Sequence, residues 1–168
     1  ISMHNELTKK DIELMRQELE YRRGVLRPKL IEDVKTARAF GDLSENFEYK
    51  AAKKFKNENE SRIRYLEKMI KTAQIVEDNS GENEVGLNDT VKIFVEDDQT
   101  EEEYKIVTTV RSDALNQMIS IDSPMGKALL GAKEGERILI KVNDAVRYYV
   151  RILEIRKSDD ESEEIKKF

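Results

Sequence analysis

The chain has 168 residues, 39% of them charged and 38% hydrophobic, with a formal net charge of −5. That length suits one or two small domains, and the acidic balance excludes a global basic field for nucleic acid, so any such contact has to use a local patch. With no cysteine and a single histidine, His4, there are no disulfides, no thiolate metal site, no histidine-based metal centre and no Ser-His-Asp triad. The lack of cysteine is compatible with a reducing cytosol; no apolar run approaches the roughly 20 residues needed to cross a bilayer. No charged-then-apolar signal segment opens the chain, and Ile1-Ser2 ahead of Met3 reads as a cloning remnant or a trimmed end.

Thr8 to Ala39 reads as one helix, capped by Thr8 with Asp11 as its acidic partner. Ile12, Met15, Leu19, Leu26, Leu30, Val34 and Ala37 recur at helical spacing on one stripe, while Glu13, Arg16, Glu18 and Glu20 take other faces. Gly24 and Pro28 interrupt the pattern, and the missing N–H of Pro28 predicts a bend, or a complete break, near the middle. Asn46 to Val76 reads as a second helix, with Phe47, Ala51, Phe55, Ile63, Leu66, Ile70 and Ala73 on its stripe. Lys56 and Asn59 fall where a strict seam wants apolar groups. The connection is short, so the helices should lie antiparallel in a rod of roughly 45 Å, occupying residues 1–78.

Residues 79–88 read as a linker rich in Asn, Gly and Glu. The period then changes. Thr90 to Val95, Tyr104 to Val110, Gln117 to Ile121, Arg137 to Val142 and Val146 to Ile155 alternate as strands, predicting an antiparallel sheet or half-barrel over residues 89–157. Ser123-Pro124-Met125 opens a short helix that Gly131 ends. The acidic stretch 158–168 is expected to be disordered. The class is α+β.

The stretch ARAFGDLSENFEYKAA, from Ala37 to Ala52, lies at the tip of the hairpin. Asp42 and Glu45 have the spacing of a capping box, and both charges suit the positive end of a helix dipole. Alternatively they are exposed carboxylates near a metal, one sharing Mg²⁺ and the other orienting or deprotonating a water. Two carboxylates do not build a Mg²⁺ site, so the remaining ligands would come from a partner. Lys50, Lys53 and Lys54 share a helix face just behind the tip, and Arg38 sits on the facing helix. Next to two carboxylates, this concentration suggests a phosphate backbone; a solvated charged face is the alternative. Phe40 and Tyr49 add apolar or stacking surface; the alternative for Tyr49, and especially for Phe47, is packing of the first turn against the opposite helix.

The tip stretch resembles the loop signature of the bacterial transcript cleavage factors, the Gre factors, whose usual form is close to AREHGDLSENAEYHAA. Arg27-Pro28, Arg62-Ile63 with Leu66-Glu67, and Ile119-Ser120-Ile121-Asp122-Ser123-Pro124 with Ala128-Leu129-Leu130-Gly131 are similar to further elements of the family. The resemblance spans about Leu7 to Ile155. It implies an N-terminal antiparallel coiled coil and a C-terminal FKBP-like domain. It implies a cytoplasmic protein whose partners are bacterial RNA polymerase and the nascent RNA 3′ segment, with no membrane and no small-molecule substrate. The coiled coil would enter the secondary channel and stimulate hydrolysis of backtracked RNA, the protein being a cofactor rather than an enzyme. Asp42 would help hold a Mg²⁺ shared with polymerase, no cofactor being bound alone. Glu45 would position or activate the water, and Ser44 would support the tip. Arg38, Lys50, Lys53 and Lys54 would meet RNA or polymerase, and Asp122, Ser123 and Pro124 would dock on the channel rim. Phe40 stands in place of the usual His and Phe47 in place of a small residue. They motivate a second hypothesis, a channel-binding modulator or inhibitor without cleavage activity. A third is a coiled-coil adaptor unrelated to transcription.

Overall fold

The computed structural model describes residues 5–41 and 45–158, which divide into two units: Lys10–Ala73, and the residues before Lys10 together with those from Gln74 onward. The first is a helical hairpin. Its first arm runs as α1 (Lys9–Tyr21) and α2 (Arg27–Arg38), joined by a π-helical segment, Arg22–Leu26; its second arm is α3 (Phe47–Thr72). The arms are antiparallel, since Glu18 meets Arg62, Arg22 meets Asn59 and Arg38 meets Tyr49. The interruption expected at Pro28 takes the form of the π segment. Pro28 occupies the first turn of α2, where its missing N–H costs nothing, and Arg27 N–H reaches back five residues to the Arg22 carbonyl.

The π segment also explains the polar residue in the seam. Asn59 is buried, donates to the Arg22 carbonyl at 3.3 Å and accepts from Arg22 Nη1 at 2.9 Å. Around it, Arg62 holds Glu18 through two hydrogen bonds of 2.7 and 3.0 Å, and Arg22 Nε holds the same carboxylate at 2.6 Å. Burial works to raise the Glu18 pKa, but the hydrogen bonds and charges of Arg62 and Arg22 outweigh it, and the carboxyl titrates below its ordinary range. Met15, Leu19, Ile63, Leu66 and Met69 pack beside this network. Arg27 and Glu60 add a bidentate pair, both bonds 2.9 Å.

The second unit begins with two short parallel strands, β1 (Glu6–Leu7) and β2 (Gln74–Ile75). Residues 74–76 were expected to continue the second helix. Instead Gln74 N–H bonds the Asn5 carbonyl and Val76 N–H the Leu7 carbonyl, so both ends of the presumed 1–78 hairpin belong to the sheet unit. The main sheet holds β3 (Thr90–Val95), β4 (Thr100–Val107), β5 (Met118–Ser120), β6 (Arg137–Lys141) and β7 (Arg147–Arg156), in the order β5-β4-β3-β7-β6. The predicted strands are present, but the sheet is mixed. β4 and β5 run parallel, because the chain between them winds through two 3₁₀ turns, Thr109–Arg111 and Ala114–Asn116, before rejoining the edge. β3 alternates buried Val91, Ile93 and Val95 with half-buried neighbours, and α4 (Pro124–Leu129) covers the core through Leu129.

Residues 79–88 are no free linker. Val85 and Leu87 belong to the core, and Val85 N–H bonds the Ala132 carbonyl at 2.8 Å. Lys157 pins the stretch from outside. Its ammonium donates to Asp89 Oδ2 at 2.6 Å, Ser80 Oγ at 2.9 Å, the Glu84 carbonyl at 2.9 Å and the Gly81 carbonyl at 3.1 Å. Two apolar side chains at alternate positions outweigh the polar composition that suggested a linker. Of the expected tail, 158–168, all but Ser158 lies outside the described residues; the Ser158 N–H donates to Asp89 Oδ1 at 3.0 Å. Among the described residues, no helix is long and apolar enough to cross a membrane.

Candidate functional site

At the tip, α2 ends at Arg38 and Gly41 takes a φ of 114°, a conformation that favours glycine. Asp42 and Ser44 lie outside the described residues. Glu45 follows, exposed and ahead of α3. Glu45 takes no part in a capping box on α3. The N-cap of α3 is Asn46, whose Oδ1 accepts the Tyr49 N–H at 3.0 Å. Glu45 stands one residue outside the cap, not at the third helical position the capping box requires. Asn46 also donates through Nδ2 to the Ala37 carbonyl at 2.7 Å, tying the start of α3 to the end of α2. The signal for this was legible: Asn is among the best N-caps, and it directly precedes a helical run.

Arg38, Lys50, Lys53 and Lys54 are all exposed. Arg38 Nη2 donates to the Tyr49 hydroxyl at 3.2 Å and its guanidinium lies 5.4 Å from the ring centre. That hydrogen bond, with the charges of Lys53 and Arg38, holds the Tyr49 phenol below its ordinary pKa. Lys50 lies over the Phe47 ring at 5.6 Å. Lys54 turns towards Glu58, at 3.9 Å. The structure thus joins Arg38 to Tyr49, with Lys53 one helical turn further along α3 and Lys50 on the Phe47 ring. Phe47 does not pack against the opposite helix: it is 79% exposed, and Phe40 is 70% exposed. Position 47 lies immediately after the cap, in the first turn of α3.

Asp122 and Ser123 lie between β5 and α4, and Pro124 is the first residue of α4. Ser123 caps α4, accepting the Gly126 N–H at 3.0 Å and donating to the Ser120 carbonyl at 2.6 Å. Asp122 Oδ2 accepts from Thr109 Oγ1 at 2.7 Å, and its N–H donates to Ser120 Oγ at 2.9 Å. Pro124 is exposed. Thr109, from the turn after β4, thereby orients the Asp122 carboxylate; no sequence spacing pointed to it.

Glu45 offers oxygen donors of the kind Mg²⁺ takes, but no group of three His, Cys, Asp or Glu side chains among the described residues could hold a metal ion.

Family models match both units: the N-terminal model of transcription elongation factors GreA/GreB over residues 5–75, and the C-terminal model over residues 80–157. The transcription elongation factor GreA of Caldanaerobacter subterraneus subsp. tengcongensis is 44% identical, with 90% of this chain and 96% of the relative covered. That of Bacillus subtilis is 45% identical over 127 residues, 76% of this chain and 81% of the relative. A solved structure, the GreA factor homolog 1 of Thermus thermophilus, is 28% identical over 90% of this chain and 98% of that one, with a TM-score of 0.41.

Proposed function

The chain belongs to the GreA/GreB family of transcription elongation factors, and from that premise we propose that it binds bacterial RNA polymerase in the cytoplasm and stimulates Mg²⁺-dependent cleavage of the RNA 3′ end in backtracked complexes. The observation that carries this reading is the tip itself. The GDLSEN sequence joins two antiparallel helices, and Asn46 does the capping, which leaves Glu45 exposed and outside the helix. In this reading the hairpin is a coiled coil that enters the secondary channel, α3 alone measuring roughly 39 Å. The sheet unit is an FKBP-like domain that docks at the channel rim through Asp122, Ser123 and Pro124.

The protein acts as a cofactor, polymerase being the enzyme. Asp42 would hold a Mg²⁺ together with polymerase carboxylates, and the bound ion would supply Lewis-acid activation and neutralise developing phosphate charge. Glu45 orients the attacking water and takes its proton, a role open to an exposed carboxylate within hydrogen-bond reach of that water. Ser44 supports the loop between them. Arg38 and Lys53, beside Tyr49, meet the phosphates of the unpaired RNA segment, with Lys50 and Lys54 extending the positive surface.

A stalled, backtracked elongation complex in Mg²⁺ tests the reading. The protein should shorten the RNA from its 3′ end. Asp42→Asn and Glu45→Gln should each lose most of that activity while still competing with wild type for polymerase. Full cleavage by both variants would overturn the roles given to the tip. Binding that alters elongation with no RNA shortening by wild type would show a channel modulator instead.

A further inference from the structure

The hairpin is packed unevenly along its length. Every buried residue of α3 lies from Asn59 onward: Asn59, Arg62, Ile63, Leu66 and Met69. From Phe47 to Glu58 none is buried. In that distal half the two helices leave an open groove of about 340 Å³. Its floor is made of small or short side chains, Ala37, Ala51 and Ala52, with Leu30 at one end. Phe40 and Phe55 flank it, 70% and 57% exposed. Two exposed aromatic rings beside an alanine floor form a contiguous apolar surface, the kind that a partner covers. The remaining wall groups decide which partner. Asp33 and Glu48 stand on the groove, whereas Arg38 and Tyr49 pair outside it. Asp33 already holds the Lys29 ammonium at 3.1 Å, and the Glu48 carboxylate likewise repels phosphate and favours a cationic flank.

We propose that this groove is a second contact of the hairpin with polymerase, taking an apolar side chain or two from an amphipathic protein segment of the channel wall that carries lysine or arginine beside them. The proposal rests on the reading of the chain as a polymerase-binding elongation factor. The volume suits two aliphatic side chains or one aromatic ring, a hydrophobic centre of the size that anchors protein interfaces. The two sides of the tip thereby divide the work. The Arg38–Tyr49–Lys53 side meets nucleic acid, and the Phe40–Ala51–Phe55 side meets protein.

The test uses Ala51→Glu in the full chain. Position 51 is exposed on α3 and glutamate is a good helix former, so the fold is kept while the floor gains bulk and charge. Cleavage of a backtracked complex is titrated with each protein, and a photo-crosslinking residue at position 51 identifies what lies on the groove. Ala51→Glu should need on the order of tenfold more protein for half-maximal cleavage, with the same rate at saturation, and Phe55→Ala should move in the same direction. The crosslink should fall on a polymerase subunit. An unchanged titration for both variants overturns the groove while leaving the elongation-factor reading intact, since wild type still cleaves. A crosslink to RNA, or to a second copy of this chain accompanied by self-association in sedimentation that Ala51→Glu abolishes, overturns the assignment of the occupant. Failure of wild type to bind or cleave defeats the elongation-factor reading itself.

Discussion

Replacing Arg62 by methionine should destabilise the hairpin by about 2–3 kcal/mol. Arg62 is buried and donates two charge-assisted hydrogen bonds to Glu18, at 2.7 and 3.0 Å. Its guanidinium also lies 5.1 Å from the Tyr65 ring centre. Methionine refills most of the volume but leaves Glu18 in the seam with Arg22 as its remaining cation, at 2.6 Å. Breaking a fully buried pair costs about 3–5 kcal/mol; Glu18 keeps 22% side-chain exposure and a second partner, which reduces the figure. For a unit of this size the loss corresponds to a melting shift of roughly 10–20 °C, read by helical circular dichroism. The depressed Glu18 pKa adds a pH signature. Because the folded value lies below the unfolded one, the stabilisation is complete above the ordinary glutamate value of 4.5 and disappears as pH falls through the folded value. Arg62→Met should therefore flatten the acid limb of the stability curve. Combining it with Glu18→Leu should recover much of the loss, since Arg22 stays hydrogen-bonded to Asn59. A single-variant change below about 0.5 kcal/mol, the size of an ordinary surface pair, would refute the reasoning.

Asn46→Ala removes both the cap on Tyr49 N–H and the bond to the Ala37 carbonyl; it should cost about 1–2 kcal/mol and speed amide exchange in the first turn of α3. Gly126→Ala puts a methyl group against the Ser120 carbonyl and beside Ser123 Oγ. It should destabilise the sheet unit by about 1–3 kcal/mol, because the turn that carries Asp122 and Ser123 has to shift; a denaturation curve matching wild type would count against it. Lys157→Met withdraws the cation from Asp89 while the Gly86 and Ser158 N–H groups still bind that carboxylate. Its expected cost is about 2–3 kcal/mol, with new proteolytic cuts near residues 79–84 as the local readout.

Helix and strand periods were legible because a repeating stripe averages over many residues. Both arms of the hairpin and four of the five strands of the main sheet lie where those periods run; β4 is Thr100–Val107 rather than Tyr104 to Val110, because the chain turns into a 3₁₀ segment at Thr109. What escaped depends on single long-range contacts. Gln74–Ile75 continues a helical pattern, yet two hydrogen bonds to Asn5 and Leu7 capture it as a strand. The segment around Val85 and Leu87 has a linker's composition, yet two apolar side chains and one ammonium seat it in the core. Asn59 looked like a flaw in the seam until the π segment brought the Arg22 carbonyl within its reach. At the tip, the DLSE spacing offered a capping box, and the better cap one residue later displaced it.

These contacts also bear on how the tip is aimed. Between Phe47 and Glu58 no residue of α3 is buried, and α2 adds only Leu30 and Ala37 to the seam, so packing holds Glu45 less firmly than it holds the base of the hairpin. Two other features add to it. The Asn46–Ala37 bond ties the helices at the tip, and the Glu18–Arg22–Asn59–Arg62 network sets their register further down. Asn59 lies 13 residues beyond Asn46, roughly 20 Å along the helix. Sliding one arm by a turn would strand buried charges and an amide, a penalty far larger than that for sliding an apolar seam of similar residues. An all-apolar replacement of Glu18, Arg22, Asn59 and Arg62 should then leave the hairpin stable but multiply its registers. Cysteine pairs placed across the arms near the tip should crosslink in several combinations in that variant and in one combination in the parent. A single combination in both would assign the register to the Asn46 bond alone.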